Sequence, residues 1–204
     1  MRYLILPLAA LVIIITSAFT KIKSLTVTST AFTNNSPIPV KYTCLGQGLN
    51  PPLSIADIPP EAKSMVIIVC DPDATTKVVT PVSATQVVNK KGSHKKTTVK
   101  KGMRTTETCA VNGYTNWIVW NIEVTDMIPE DYRSEAMGMN SADLRGYQGM
   151  CPQTGTHTYH FRVYALDSKL NIDKNINIAG LEKVMEGHIL AKGELTGQYN
   201  KTYR

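Results

Sequence analysis

The sequence predicts a mainly β protein, a sandwich covered by a few peripheral helices. Four segments rich in β-branched and aromatic residues are bounded by Pro, Gly and Asn, the composition typical of strands. Large apolar residues in one of them alternate at period two, and one further stretch has helical spacing. The predicted strand segments are 24–32, 63–71, 116–124 and 157–167.

Each element is predicted from its own pattern. Segment 63–71 is apolar almost without interruption, so we expect a strand buried on both faces. Segment 157–167 alternates, which predicts one face in a core. Residues 179–195 predict a helix near the C-terminus, because Leu181 and Met185 recur at helical spacing. We interpret His188 as a residue at the core edge of this helix rather than as a ligand.

The N-terminal residues 1–18 have the pattern of a secretory signal peptide. Arg2 precedes an apolar run that ends in small residues, and the run is shorter than the ~20 residues of a membrane-spanning helix. A cleaved signal is therefore favoured over a retained membrane anchor. The 204-residue chain suits one hydrophobic core, so we expect a single domain over 19–204 in a secreted or periplasmic, oxidising compartment.

The net charge of +6 is concentrated in one segment, 75–113, which has eight basic residues and one acid. The rest of the chain has 14 basic and 15 acidic residues. A solvated loop is the favoured interpretation of its Lys-rich part, and contact of Lys90–Arg104 with an anionic surface is the alternative. We expect no nucleic acid partner, because no aromatic residues are interleaved with these lysines to stack on bases.

Four cysteines, Cys44, Cys70, Cys109 and Cys151, favour disulfides in a secreted chain. Three pairings are possible, and the spacing does not choose among them. No Cys/His cluster has the spacing of a zinc site, so we expect no metal and no cofactor. Cys151, six residues before His157, is the one candidate for a catalytic thiol, and a disulfide is the favoured interpretation.

Polar side chains are predicted to meet at one end of the sheet. Asp71 and Asp73 follow the buried strand on a turn stiffened by Pro72, and His157 lies where another strand begins. Asp-Pro-Asp is also ordinary turn chemistry. Two carboxylates and an imidazole near one rim would make a small polar pocket, and this functional interpretation is the one we prefer.

Several motifs agree with one family in order and spacing. Together they resemble the phosphatidylethanolamine-binding protein family, in its bacterial Raf-kinase-inhibitor-like branch, and they cover nearly the whole chain after the signal apart from the basic segment. The motifs are IPVKYTCLGQGLNPPLSI, KSMVIIVCDPDA, NWIVWNI, GYQGMCPQTGTHTYHFRVYALD and MEGHILAKGELTGQY.

The resemblance implies a sandwich of antiparallel sheets with a C-terminal helix and an anion pocket at one end, in a protein that binds or regulates rather than catalyses. Asp71 and Asp73 match the family's Asp-Pro-Asp, and His157 matches its Gly-Thr-His. The remaining matches belong to the turn of the pocket wall: Gly149, Cys151, Pro152 and, in the Gly-Tyr-x-Gly motif, Tyr147.

The chain departs from the family pattern inside this pocket. Asn116 stands where the family's Trp-x-His-Trp motif has histidine, and Thr158 stands where arginine is common. We include Asn116 among the ligand-binding residues, as a neutral amide that donates hydrogen bonds without a charge. A phosphate beside two aspartates needs compensating cations or protons. The substitution therefore predicts weaker anion binding, with a smaller increase in acid, than a pocket with two histidines would show.

The basic segment resembles an insertion that begins at the rim of the pocket, because the family connects the same two motifs by a short link. One hypothesis is that its lysines replace the positive potential lost at position 116. The alternative is a surface loop without a role. If the insertion is tethered near the pocket, Cys70 to Cys109 is the bridge we expect.

The predicted function is that of a non-enzymatic binding protein for a small anion, phosphate or phospho-headgroup. An alternative is an interaction protein that regulates or inhibits a partner enzyme such as a protease. A hydrolase that uses His157 with Asp71 or Asp73 is disfavoured, because no serine lies in a nucleophile-elbow motif and no complete set of metal ligands can be identified.

Overall fold

The structure is a computed structural model that describes residues 21–74 and 113–201. Its described part contains nine strands, one α-helix and a short 3-10 helix at Val40–Tyr42. The strands and the helix are β1 Lys23–Ser24, β2 Thr26–Thr28, β3 Ser36–Pro37, β4 Leu53–Ala56, β5 Ser64–Asp71, β6 Tyr114–Ile122, β7 Met127–Ile128, β8 Thr156–Leu166, α1 Ile178–Met185 and β9 Ile189–Asn200.

Two sheets form the sandwich. The larger has the order β1-β9-β8-β5-β6, with β3 also paired to β9, and the smaller has the order β2-β4-β7. Every pairing between the four long strands is antiparallel, and the short strands β1 and β3 run parallel to β9. The prediction of a mainly β sandwich is confirmed.

Strand β5 lies between β8 and β6 in the large sheet and is buried along its whole length. Its alternate side chains serve two cores, because successive residues of a strand point to opposite faces. Met65, Ile67 and Val69 belong to the core between the sheets, whereas Val66 and Ile68 belong to a second core that includes residues of α1. The prediction that 63–71 is buried on both faces is confirmed over Ser64–Asp71.

The predicted helix over 179–195 is wrong in its second half. Helix α1 begins after Asn177, whose side chain accepts the Gly180 N–H, and it ends at Met185. Gly187 then adopts φ +82°, which turns the chain into strand β9. From Ala191 onward the burial alternates as in a strand, because this segment pairs with β8 along its whole length.

His188 lies in the turn between α1 and β9 rather than on a helix. Its side chain is 46% exposed, and its Nδ1 atom is 2.8 Å from Asp167 Oδ1. The expectation that His188 is a core-edge helical residue is therefore wrong, because the helix ends at Met185, before this residue.

Two of the sequence predictions lie outside the described residues. They are the signal peptide at 1–18 and the basic insertion at 75–113, of which the structure describes only Gly113. Within 21–74 and 113–201, no helix has the length and apolar character needed to cross a membrane.

Candidate functional site

The candidate site lies where β5 ends and β8 begins. Strands β5 and β8 are antiparallel neighbours. Asp71, the last residue of β5, therefore lies at the same end of the sheet as His157, the second residue of β8. The Asp71 side chain is 3% exposed and that of His157 is 15% exposed. His157 Nδ1 is 2.7 Å from Asp71 Oδ2, so the predicted carboxylate and imidazole form a direct pair.

Asp71 has hydrogen bonds on both carboxylate oxygens. Its Oδ1 accepts the backbone N–H groups of Asp73 and Ala74, each at 3.0 Å, and its Oδ2 faces His157. An ionised carboxylate only accepts, so the Nδ1 of His157 carries the proton. This arrangement fixes the ring orientation and leaves Nε2 as the ring nitrogen for a ligand.

Asp73 has a different position from Asp71, because it is exposed at the rim. Its Oδ2 accepts the backbone N–H of Thr158 at 2.8 Å. The turn after β5 is therefore tied to β8 through both aspartates. One oxygen of Asp73, Oδ1, has no hydrogen bond from the described residues.

Asn116 lies on β6 and is 2% exposed. Its Nδ2 donates to the carbonyl oxygen of Gln148 at 3.0 Å, which fixes the orientation of the amide, because a flipped amide would place two acceptor oxygens together. Its Oδ1 is buried and has no partner in the described part of the chain. The expectation that Asn116 acts as a donor is thus only half right. Its Nδ2 donates to Gln148, and the atom without a partner, Oδ1, is an acceptor.

The wall formed by Gly149, Cys151 and Pro152 packs directly on the segment around Cys44. A Cβ at Gly149 would lie 2.6 Å from the carbonyl carbon of Thr43, so no other residue fits there without displacing the backbone. Cys44 and Cys151 form a disulfide, with their Cα atoms 5.5 Å apart. This pairing settles a choice that the spacing left open, and it excludes Cys151 as a catalytic thiol.

Cys70, the residue before Asp71, is also disulfide-bonded. Cys109 lies outside the described residues, so the bridge between them stays a prediction. None of the three cysteines that the structure describes has a free thiol.

These groups surround a cavity of about 390 Å³. Seven of the eight predicted ligand-binding residues line it: Asp71, Asp73, Asn116, Gly149, Cys151, Pro152 and His157. The lining also includes residues that the sequence interpretation missed: Ala74, Tyr114, Gln148, Gln153, Thr154 and Tyr159.

Tyr147 is the exception. It lines a neighbouring groove, its hydroxyl donates to Met150 Sδ at 2.9 Å, and its ring meets Trp117 edge to face at 5.8 Å. Burial raises the pKa of Tyr147 well above its usual value, so the phenol stays neutral. Gln148, its neighbour in the sequence, lines the cavity instead, and Tyr147 supports the wall from behind.

Tyr159 and Tyr114 could have been found from strand periodicity. Residues two apart share a face of a strand, so Tyr159 follows His157 on β8 and Tyr114 precedes Asn116 on β6. The Tyr159 ring stacks against His157, with centroids 6.5 Å apart. Burial and the nearby Asp71 carboxylate raise the pKa of Tyr159, so its hydroxyl keeps its proton near neutral pH.

The charges that line the cavity are two carboxylates and one imidazole. The described lining contains no lysine or arginine, and Lys201 lies beside the rim with its Nζ 3.5 Å from Cys151 Sγ. Within the described ranges, no group of three or more His, Cys, Asp or Glu residues could hold a metal ion. The chemistry of the cavity is therefore hydrogen bonding around one ionisable imidazole.

The fold and the cavity define a two-sheet β-sandwich with a polar, ligand-sized cavity at one end of its large sheet. The sequence profile of the phosphatidylethanolamine-binding protein family matches residues 28–200. The chain belongs to this family, and the resemblance seen in its motifs is confirmed.

Individual relatives agree with this assignment. A UPF0098 protein of Pyrococcus horikoshii is 36% identical over 184 residues, which is 85% of this chain and 75% of the relative. A UPF0098 protein of Chlamydia trachomatis is 36% identical over 176 residues, with 85% and 97% covered.

Two solved structures have the same fold. A phosphatidylethanolamine-binding protein homologue of Chlamydia trachomatis has a TM-score of 0.67 at 34% identity, covering 88% of this chain and 99% of that one. YbcL of Escherichia coli, described as a member of the mammalian family, has a TM-score of 0.65 at 22% identity, with 88% and 99% covered. The likeness to YbcL concerns the fold alone.

Proposed function

We propose that this chain is a non-enzymatic binding protein whose cavity takes a small anion, either phosphate or a phosphate-bearing headgroup. The observation that carries the proposal is the pair of His157 and Asp71. Asp71 holds the imidazole in one orientation and one tautomer, and it leaves Nε2 at a cavity of about 390 Å³. A volume in this range suits a small-molecule site.

Charge and hydrogen-bond donors support an anionic ligand. A protonated His157 supplies a charge-assisted donor, and the hydroxyl of Tyr159 and the amide of Gln153 add neutral donors. The buried carboxylate of Asp71 has three donors of its own, which reduces its repulsion toward an anion. The name of the family, phosphatidylethanolamine-binding protein, points to the same class of ligand.

The proposed location is secreted or periplasmic. A disulfide between Cys44 and Cys151 and a second disulfide at Cys70 are typical of oxidising compartments. The apolar N-terminal pattern adds independent support from the sequence. Fractionation of native host cells, with labelling of free thiols, tests this location. Recovery of the protein in the cytoplasm with reduced thiols would contradict the proposal.

The proposal also gives the basic insertion at 75–113 a role in attracting anions. Ala74, the last described residue before it, and Tyr114, just after it, both line the cavity. We expect the lysines of Lys90–Arg104 to raise the positive potential at this mouth and thereby to attract anions or an anionic surface. Deletion of 88–104 should weaken phosphate binding and flatten its salt dependence, and unchanged values would favour a loop without a role.

The direct test is calorimetric titration with inorganic phosphate and phosphoethanolamine near pH 6 and pH 8. Binding should be tighter near pH 6, where imidazoles become charged. His157→Gln should remove most of the binding, while His188→Gln, which alters a similar pair in solvent, should leave it unchanged. Recovery of unaltered phosphoethanolamine after incubation would exclude hydrolysis, whereas turnover that depends on His157 would overturn the non-enzymatic assignment.

A further inference from the structure

The lining of the cavity contains oxygen acceptors as well as donors. Asp73 Oδ1 at the rim has no hydrogen bond from the described residues, and the Oδ1 of Asn116 in the wall is buried without a partner. Because an unpartnered buried acceptor is costly, Asn116 Oδ1 favours a ligand that donates a hydrogen bond to it, and the exposed Asp73 Oδ1 offers a second acceptor.

The orientation of Asn116 makes this requirement specific. Its Nδ2 is held by the Gln148 carbonyl at 3.0 Å, so the amide cannot turn its nitrogen toward an anion without losing that bond. A fully deprotonated oxyanion offers acceptors only. Placed against Asn116 Oδ1 and the carboxylate of Asp73, it would meet two further acceptors.

The lining also has donors. His157 offers Nε2, and the buried hydroxyl of Tyr159 lies near Asp71 without a hydrogen bond of good geometry. The cavity therefore has donors at His157 and Tyr159 and acceptors at Asn116 and Asp73. A ligand that satisfies both kinds of group carries bare oxygens and at least one O–H on the same small group.

The charge balance leads to the same ligand. When His157 is protonated, it neutralises Asp71, and Asp73 leaves the described lining with one negative charge. No lysine or arginine of the described lining offsets it. The charges of the described lining, taken alone, therefore disfavour a dianion more than a protonated monoanion.

We propose that the cavity selects oxyanions that carry a proton, so that it binds protonated phosphate groups and rejects oxyanions of the same shape without an O–H. This inference rests on the proposed anion-binding function and assigns its ligand class. The oxygens of Asp73 and Asn116 accept a hydrogen bond from the ligand's O–H, and they determine specificity.

The test compares three probes at one pH, near 6, so that the charge on His157 is the same throughout. Inorganic phosphate is there mainly a monoanion with O–H groups, methyl sulfate is a monoanion without one, and sulfate is a dianion without one. We expect phosphate to bind about tenfold more tightly than methyl sulfate, the magnitude of one hydrogen bond to a charged group. Sulfate should bind more weakly still.

Asp73→Asn sharpens the test. Asparagine keeps an oxygen for the Thr158 N–H and presents an amide N–H in place of a carboxylate oxygen, so the preference for phosphate over methyl sulfate should fall severalfold. Asp126→Asn, a matched change at an exposed carboxylate outside the cavity lining, should leave the preference intact.

The outcomes separate the two proposals. Equal affinities for phosphate and methyl sulfate would overturn the proton requirement while the anion-binding function stands. Binding of none of the three probes would overturn the anion-binding function, and the proton requirement with it. An unchanged preference in Asp73→Asn would overturn the role given to Asp73.

Discussion

The two ends of strand β8 each have a histidine paired with an aspartate, at nearly the same distance. At the cavity end, His157 Nδ1 is 2.7 Å from Asp71 Oδ2; at the helix end, His188 Nδ1 is 2.8 Å from Asp167 Oδ1. The first pair is 15% and 3% exposed, and the second is 46% and 44% exposed. Identical chemistry thus occurs in two environments.

The comparison shows that a short distance between a histidine and an aspartate does not by itself indicate a binding site. Asp71 also accepts two backbone N–H groups, so its loss would leave three donors without an acceptor. Asp167 is in contact with solvent, so water can replace the carboxylate as a hydrogen-bond partner of His188 if Asp167 is substituted. The cavity end is further restrained by the Cys44–Cys151 disulfide.

The largest effect should come from the covalent restraint at the cavity end. Replacing both Cys44 and Cys151 by alanine removes a crosslink between residues 107 apart in sequence, which should lower the free energy of unfolding by about 4 kcal/mol. Urea unfolding measures this change. A loss below about 1 kcal/mol would mean that noncovalent packing around Gly149 holds this end by itself.

The next effect compares the two aspartates directly. Asp71→Ala should lower the free energy of unfolding by about 3 kcal/mol, because the largely buried His157 and two partly buried N–H groups lose their acceptor. Asp167→Ala, in the exposed pair, should cost less than about 1 kcal/mol. Similar losses for the two variants, measured by urea unfolding, would show that burial does not distinguish the pairs.

A second imidazole at the cavity end should strengthen ligand binding. In Asn116→His, the ring Nδ1 can replace the Asn116 amide as donor to Gln148, and protonation adds a positive charge to the lining. Phosphate affinity near pH 6 should rise severalfold, because the new charge-assisted hydrogen bond outweighs the neutral acceptor lost with the amide, and the gain should shrink near pH 8. Calorimetry that finds no gain near pH 6 would contradict the account of position 116.

The smallest effect concerns an ion pair midway between the two ends. Partial burial raises the pKa of Glu194, but hydrogen bonds and charges from His160 and Arg162 outweigh it and lower the pKa from 4.5 to about 2. The unfolded chain therefore binds this proton more readily than the folded chain. The stabilisation is present above about pH 4.5 and is lost as the pH falls toward 2.

Glu194→Gln should remove this pH dependence. The slope of unfolding free energy against pH, between about pH 4.5 and pH 2, should become flatter than in the parent chain. Glu186→Gln, a change at an exposed glutamate, serves as the control. A slope that is unchanged by Glu194→Gln would assign the acid sensitivity to other carboxylates.

Much of the cavity end could be predicted from the sequence. Asp71 and His157 follow from a buried strand, a stiff turn and a motif at the start of another strand. Tyr147 was placed wrongly because a motif match does not state which way a side chain points, and Gln148 points into the cavity in its place. Tyr159 was missed because its aromatic side chain in an alternating strand indicated core packing alone.

The helix end was harder to predict. Leu181 and Met185 have true helical spacing, and the glycine that ends the helix comes only two residues after Met185. The apolar residues that follow fit a helix or a strand over a short window, and only pairing with β8 decides between them. The orientation of the Asn116 amide depends on a carbonyl 32 residues away, which no local pattern shows.

The pairing of Asp71 with Tyr114 has a consequence for how this chain can vary. The sheet already joins β5 to β6 at that point, so the length of the connecting residues 75–112 has no bearing on the register of the ladder. A change in the length or charge of this connection should therefore leave the paired frame unchanged. Because Ala74 and Tyr114 flank the connection and line the cavity, a reporter domain inserted between them would be attached next to the cavity.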